Sequence, residues 1–199
     1  MVRPLMALLL FALPLAENKQ ASAPPDAPTY TANDELKMPE DYREWVFLTS
    51  GVDMSYSATN SPDHSVFDNV FVNPSAYREF RKTGTWPDKT VLVLEIRSAE
   101  GAASINKRGH TQSEKLTGLE VHVKDTAKGG WTFYGFNNPS TGKPFPRTAS
   151  CYSCHEQHGI VDTTFVQFYP TILHHAKEKK TINPELLKEL DPPAEPAAK

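Results

Sequence analysis

The most reactive side chains of the sequence lie in one short motif, in which Cys151, Cys154 and His155 stand within five residues. The motif contains both cysteines of the 199-residue chain. C-x-x-C-H is the spacing that attaches haem c, because each thiol adds to one vinyl group and the histidine then binds the iron. The motif therefore predicts one covalently attached haem c per chain, with His155 as the iron ligand.

Two other chemistries use a pair of cysteines at this spacing. A zinc site needs four ligands, so His158, His174 or His175 would have to complete one together with His155. A redox-active dithiol would not require a histidine directly after the second cysteine. Haem attachment is the interpretation that gives all three residues of the motif a role, and the other two stay open.

The opposite face of the iron determines what such a haem does. Electron-transfer cytochromes usually close this face with a methionine or a second histidine. No methionine follows the motif, and the two that lie beyond the N-terminal apolar run are Met38 and Met54, far upstream. His64 and His110, in predicted loops, are the candidates for a second histidine ligand. Without any of these, the iron is five-coordinate and its open face is a site for a small ligand.

The beginning of the chain has the form of a secretory signal. Arg3 precedes an apolar run over residues 5–15, which is too short to span a membrane. Cleavage is expected after Ala23, which ends a small-x-small triplet, or after Ala16, and the alternative is a helix retained as a membrane anchor. Haem c is normally attached outside the bacterial cytoplasm, so export to the periplasm agrees with the motif.

Composition argues against two classes of partner. The formal net charge is only −3 and no basic cluster alternates with aromatic residues, so nucleic-acid binding is not expected. No apolar run reaches the roughly 18–20 residues that a bilayer-spanning helix needs. The mature protein is therefore expected to have no membrane span.

The sequence divides into four regions. Residues 1–23 are the expected signal peptide, and the proline-rich residues 24–37 are expected to form a disordered linker. Residues 38–178 carry the strand and helix patterns and form the predicted haem c domain. Residues 179–199, which contain an Asp-Pro-Pro-Ala-Glu-Pro stretch, are expected to be a disordered tail.

Alternating apolar and polar residues predict a domain built mainly from strands. Residues 116–124 alternate in this way, and a Lys-Gly-Gly turn then leads into another strand. Residues 38–47 have the pattern of a helix start, whereas residues 161–173 fit either a helix or a strand. The remaining predictions are strands at 66–72, 90–97 and 131–136 and a helix at 74–82. Successive strands with few helices between them predict an α+β fold, mainly an antiparallel sheet with peripheral helices.

Seven short segments of the chain carry a resemblance to a known family. They are DYREW (41–45), VFVNPSAY (70–77), KTG (82–84), GLE (118–120), VKD (123–125), CYSCH (151–155) and FVQFYP (165–170). In the same order and with similar spacing, they resemble the cytochrome P-460 family. The resemblance covers residues 38–173. It implies an exported, mostly antiparallel β domain that usually forms a homodimer and carries one haem c with a proximal histidine.

One position separates two kinds of protein in this family. Members that oxidise hydroxylamine carry a lysine, in a strand of the form T-V-x-V-K-E, that is cross-linked to the haem. The related cytochromes c′-β lack the cross-link, have an apolar distal pocket and bind nitric oxide or carbon monoxide. Here the strand reads TVLVLE over residues 90–95, so Leu94 stands at the lysine position. Leucine has no amine to form the bond, and Leu94 also fits the apolar face of an ordinary core strand.

The resemblance also points to three residues near the distal face. Asp68 stands where the family has an arginine, and Glu120 retains the glutamate of the Gly-Leu-Glu segment. If both face the iron, they are candidate catalytic groups, because burial and mutual repulsion raise the pKa of one, which can then relay protons. Alternatively, Glu120 lies on a solvent face together with His122 and Lys124. A strand register shifted by one residue would place Phe67 instead of Asp68 over the iron.

Three functions are compatible with these features. The first is an exported haem c protein with an open distal site for nitric oxide or a similar small ligand, whose pocket is shaped by Leu94 with Asp68 or Phe67. The second is an oxidoreductase acting on hydroxylamine or a related nitrogen compound. The third is a periplasmic electron carrier, which requires His64 or His110 as the sixth ligand. A periplasmic electron-transfer partner is expected for the chain.

Overall fold

A seven-stranded antiparallel sheet runs through the part of the chain that the computed structural model describes, residues 23–55 and 65–191. Its strands are β1 (Leu36–Lys37), β2 (Val46–Val52), β3 (Val66–Val72), β4 (Thr90–Glu100), β5 (Thr111–Asp125), β6 (Gly130–Gly135) and β7 (Thr141–Pro144). The helices are α1 (Pro74–Thr83), α2 (Ser150–His158) and α3 (Leu173–Lys179). The strand order is β1-β7-β6-β5-β4-β3-β2, which confirms the predicted α+β fold with a mainly antiparallel sheet.

Each side of the sheet carries a buried core. On one side, which we call the helix side, Leu92 and Phe133 belong to a core that includes residues of α1, α3 and the segment 160–172. On the other, the arm side, Val93 and Val121 pack against Leu36 and Tyr42 of the N-terminal arm, residues 23–45. Because successive side chains of a strand point to opposite sides, each strand contributes to both cores.

The predicted helix at residues 38–47 is wrong. The chain forms only a 3₁₀ turn over Tyr42–Glu44 and then enters β2. Pairing with β3 stabilises this strand, and its register shifts between Phe47 and Thr49. The extra residue in this bulge, Leu48, is buried in the helix-side core, whereas Phe47 is 49% exposed on the arm side.

The segment 161–173, for which the sequence left helix and strand open, is neither over most of its length. Val161 and Thr164 form an isolated bridge that closes a tight turn, and a 3₁₀ turn follows at Val166–Phe168. The chain becomes α-helical only where α3 begins, at Leu173. The segment therefore returns the chain from α2 to the helix-side core.

Residues 24–37, expected to form a disordered linker, are an ordered part of the arm instead. Tyr30 and Leu36 are bridged through their backbones, and the Leu36 side chain is fully buried. The Tyr30 hydroxyl donates to Asp125 Oδ2 at 3.2 Å. At the start of α1, the backbone N–H of Ser75 donates to Asp26 Oδ2 at 2.7 Å. These contacts with distant parts of the chain order a segment whose composition is typical of linkers.

The C-terminal region differs from the expected disordered tail in the same way. A 3₁₀ helix over Pro184–Leu190 packs onto the domain, with Leu186 buried, and the Asn183 backbone N–H donates to the Ile160 carbonyl at 2.8 Å. Residues 192–199 and most of the expected signal peptide, residues 1–22, lie outside the described residues. Within residues 23–55 and 65–191, no helix is long and apolar enough to cross a membrane.

Candidate functional site

Helix α2 presents the three residues of the C-x-x-C-H motif on one face. Positions i, i+3 and i+4 of a helix are neighbours, which places Cys151, Cys154 and His155 side by side. Both thiols are free and partly buried. The helix ends at Gly159, where an added Cβ would lie 2.3 Å from the carbonyl carbon of Thr163. Glycine at this position therefore lets the following turn pass close to the end of the helix.

Tyr152, within the motif, fixes α2 to the sheet. Its ring stacks on Phe133 of β6, with centroids 4.4 Å apart and planes 6° from parallel. Its hydroxyl accepts a hydrogen bond from the Phe133 backbone N–H at 3.0 Å. The guanidinium carbon of Arg147 lies 5.0 Å from the centre of the Tyr152 ring. These contacts set the position of the motif relative to the helix side of the sheet.

The imidazole of His155 is held in the form that binds a metal. Its Nδ1 lies 2.8 Å from the carbonyl oxygen of Thr163. Because a carbonyl can only accept, Nδ1 carries the proton and Nε2 keeps a free lone pair. Burial lowers the pKa of His155, and the hydrogen bond to Thr163 opposes this in part. The ring is therefore neutral at pH 7, as an iron ligand must be.

Aromatic rings enclose His155. Phe165 stacks on it with centroids 4.2 Å apart, and Phe133 lies at 4.7 Å. His122 approaches it edge to face at 4.9 Å and itself stacks on Phe133 at 3.9 Å. Burial, followed by the neighbouring His155, holds the pKa of His122 well below its usual range. Both imidazoles therefore lie in an apolar setting that favours their neutral forms.

His122 lines the site, and sequence reasoning did not predict this role. The alternation of β5 placed His122 together with Glu120 and Lys124, and that side was considered as a solvent face. In the structure it is the helix side, where His122 stands opposite Leu92 of β4. The alternation was thus a usable signal, but only the packing of α2 shows which side of the strand is covered.

The strand register brings three predicted distal residues to the helix side. Glu120 of β5 lies opposite Leu94 of β4, and Leu94 lies opposite Val70 of β3. Two residues further along, Asp68 lies opposite Ile96. All five side chains are partly buried. Leu94 is therefore flanked by a carboxylate and an aliphatic side chain on the side of the sheet that α2 covers.

Both carboxyl groups on this surface have raised pKa values. Burial raises the pKa of Glu120, and the negative charge of Asp68 raises it further. Burial also raises the pKa of Asp68, with a contribution from Asp53. Such groups hold a proton at a higher pH than exposed carboxyls do, and this is the property that a proton relay needs.

Phe67 lies on the opposite side of the sheet. It pairs with Arg97 of β4, and strand alternation turns it to the arm side while Asp68 turns to the helix side. The structure therefore brings Asp68, and not Phe67, to the side of the sheet that carries His155.

The other histidines that the structure describes do not contact His155. His158 contacts Glu189 at 3.1 Å, and the rings of His174 and His175 contact each other in α3 at a tilt of 41°. His110 is exposed just before β5, and His64 lies outside the described residues. Across the described ranges, no three His, Cys, Asp or Glu side chains gather in a way that would hold a metal ion.

Met54 lies closer to the distal residues than its place in the sequence suggested. Gly51 of β2 pairs with Asp68, so both face the helix side. A Cβ added to Gly51 would lie 2.3 Å from Met54 Sδ, which means that the sulfur occupies the space over Gly51. Met54 is 39% exposed. The fold therefore places a thioether beside Asp68, which no local sequence signal indicates.

Comparison with known families identifies one match. The profile of the family described as Cytochrome P-460 matches residues 39–166, which is more than half of the chain. The matched range begins before β2 and contains Leu94, Glu120 and the whole of α2. No curated protein matches the sequence.

Proposed function

Because the chain belongs to the cytochrome P-460 family, in which a haem cofactor is implied, we propose that it is an exported haem c protein whose open distal site binds nitric oxide or a similar small ligand. The position of Leu94 carries this proposal. Leu94 replaces the lysine that forms the cross-link in the hydroxylamine-oxidising members, and it lies on the helix side opposite Glu120. The surface that faces the site is therefore apolar where those members have an amine.

The residues of α2 fit this cofactor. Cys151 and Cys154 offer two thiols on one helix face for thioether bonds, and His155 offers a neutral Nε2 from the same face. Cys151, Cys154 and His155 would hold the haem, which would supply an iron able to bind a diatomic ligand. The aliphatic side chains of Val70 and Leu94 give this surface an apolar part, which favours an uncharged ligand such as nitric oxide.

Absorption spectra of the purified ferrous protein test this proposal. We expect a five-coordinate, high-spin haem whose spectrum changes when nitric oxide is added. Mass spectrometry of the haem peptide should show two thioether bonds and no third covalent link. A six-coordinate ferrous haem that does not react with nitric oxide would overturn the proposal.

An oxidoreductase acting on hydroxylamine, or on a related nitrogen compound, is favoured by the two carboxyl groups. Oxidation of hydroxylamine releases protons, and Glu120 and Asp68 have the raised pKa values that suit proton acceptors. Glu120→Gln should then abolish turnover of hydroxylamine while the absorption spectrum stays the same. Absence of turnover in the native protein, together with the lack of a third link to the haem, removes this alternative.

An electron carrier is favoured by the position of Met54, because a thioether is a common sixth ligand of electron-transfer haems. In that case the ferrous protein is low-spin, and Met54→Leu converts it to a high-spin form that binds nitric oxide. Met38→Leu is the control, since Met38 packs on the arm side. An unchanged spectrum in Met54→Leu leaves His64 and His110 as the candidates, and alanine at each position tests them.

Export and assembly are part of the proposal. We propose that the signal is removed, that the protein acts in the periplasm with an electron-transfer partner, and that it forms the homodimer usual in the family. The mass of the mature chain tests export, because cleavage after Ala16 or Ala23 gives distinct masses. A chain that keeps residues 1–15 in the membrane fraction would contradict it.

A further inference from the structure

The turn that contacts His155 has an unusual backbone. Asp162 and Thr163 have φ values of 49° and 57°, in the left-handed region that residues other than glycine rarely adopt. The turn is closed by the bridge between Val161 and Thr164. Two successive left-handed residues persist only where their surroundings hold them. It is this conformation that presents the Thr163 carbonyl to Nδ1 of His155.

Trp86 holds one end of the turn. Its indole Nε1–H donates to Thr164 Oγ1 at 2.8 Å, and that hydroxyl donates to the Val161 carbonyl at 2.6 Å. Trp86 is 2% exposed, and its ring centroid lies 4.2 Å from that of Phe80 in α1. The indole is thus fixed by the core and connects the core to the turn.

Lys124 holds the other end. Its ammonium group contacts Asp162 Oδ2 at 2.5 Å and donates to the Trp86 carbonyl at 2.7 Å. The Lys124 side chain is only 21% exposed. Lys124 stands two residues after His122, so both face the helix side of β5. Strand β5 therefore supplies both His122, whose ring contacts that of His155, and Lys124, whose ammonium group holds the turn that contains the hydrogen-bond acceptor of His155.

From this arrangement we infer that Trp86, Lys124 and Asp162 are positioning residues that hold the Thr163 carbonyl against His155 and so set how strongly the imidazole donates to iron. A histidine that donates its Nδ1–H to a well-placed acceptor has a more electron-rich Nε2. This strengthens the bond to the metal and stabilises ferric over ferrous iron. Loosening the turn must therefore weaken the iron–histidine bond and make the reduction potential more positive.

The inference rests on the proposed function only in requiring a haem bound by His155, and it is independent of the distal ligand.

We would prepare the haem-loaded variants Trp86→Phe, which removes the indole N–H but keeps an aromatic ring, and Lys124→Met, which removes both ammonium contacts. Resonance Raman spectra of the ferrous proteins measure the iron–histidine stretching band, and redox titration measures the potential. Both variants should lower the frequency of the band and shift the potential to more positive values.

Two matched controls separate positioning from stability. Val93→Ala leaves a cavity in the arm-side core, away from Trp86, and Lys89→Met removes a comparable ion pair, with Asp125, on the arm side. Both controls should lower thermal stability but leave the iron–histidine band and the reduction potential unchanged. The inference would be overturned if the iron–histidine band and the reduction potential stayed unchanged in Trp86→Phe and Lys124→Met. It would also be overturned if the two controls shifted them equally. A six-coordinate haem in the native protein would contradict only the proposed open distal site. The shifts in reduction potential would still test the positioning residues.

Discussion

At the scale of single residues, burial on the helix side of the sheet shifts four titratable groups toward their neutral forms. Burial lowers the pKa values of His122 and His155 and raises those of Asp68 and Glu120. The cause is common to all four groups, since an apolar environment penalises whichever form carries charge. A site of this kind suits uncharged ligands, and an ionised carboxylate within it lowers the stability of the folded protein.

The first prediction concerns Glu120 and the pH dependence of stability. Because its folded-state pKa is raised, the stability associated with this group is complete below the unfolded-state value of about 4.3 and is lost as pH rises through the folded-state value. Glu120→Gln has no charge to bury. The variant should therefore have a higher free energy of unfolding than the native protein at neutral pH, and the difference should vanish near pH 4.

Urea unfolding of the haem-loaded proteins at the two pH values measures this difference. Glu114→Gln is the control, because Glu114 lies on the same strand but is exposed. Its effect should be the same at both pH values. If the stability gain of Glu120→Gln were independent of pH, the burial of an ionised Glu120 would not be the cause.

At the scale of elements, the central strands could be predicted because their alternation is local. The predicted limits 66–72 match β3, and the predicted helix at 74–82 ends one residue before the end of α1. Alternation alone leaves open whether Asp68 or Phe67 shares a side with Leu94 and Glu120, because a shift of one residue exchanges them, and the strand register decides for Asp68. The chemistry of the C-x-x-C-H motif is likewise local, but the motif does not predict the helix α2 that presents its three side chains.

The elements that could not be predicted depend on contacts between distant residues. The arm is ordered by Tyr30 reaching Asp125, 95 residues away, and by Leu36 filling a gap in the arm-side core. Met54 and Trp86 enter or support the site only through the fold, because neither lies near the motif in sequence. No local pattern contains this information, so composition alone gave the wrong expectation for residues 24–37.

The second prediction tests whether the arm is part of the fold. The Leu36 side chain is 0% exposed among arm-side core residues, so Leu36→Ala leaves a cavity and should cost about 2–5 kcal/mol of unfolding free energy. Lys37→Ala is the neighbouring control, because Lys37 is exposed and its change should be close to neutral. Urea unfolding measures both. A change close to neutral in Leu36→Ala as well would mean that the arm contributes nothing to the folded state.

At the scale of the whole molecule, the two sides of the sheet have different roles. The helix side carries α2 and the residues around His155, while the arm side is covered only in part. Along β2, Phe47 is 49% and Val52 is 53% exposed, and both face the arm side. They lie opposite Phe71 and Phe67, which are partly buried. This leaves an apolar patch of two side-chain pairs on the surface, with the hydrogen-bonded pair Ser50 and Asn69 between them.

The third prediction is that this patch is the contact between two copies in the proposed homodimer. Association would cover Phe47 and Val52, and Phe67 would have its role there rather than beside the iron. A carboxylate placed in such a contact must be buried without a partner, which is strongly unfavourable. Phe47→Asp should therefore weaken the dimer by at least about tenfold, which corresponds to about 1.4 kcal/mol.

Sedimentation equilibrium of the haem-loaded protein measures the dissociation constant. Ile105→Asp is the matched control, because Ile105 is an apolar residue that is 93% exposed in the loop between β4 and β5. It should leave the association unchanged. A native protein that is monomeric at all concentrations would remove the homodimer. A dimer that is equally stable in both variants would instead place the contact elsewhere, and the exposure of Phe47 and Val52 would need another cause.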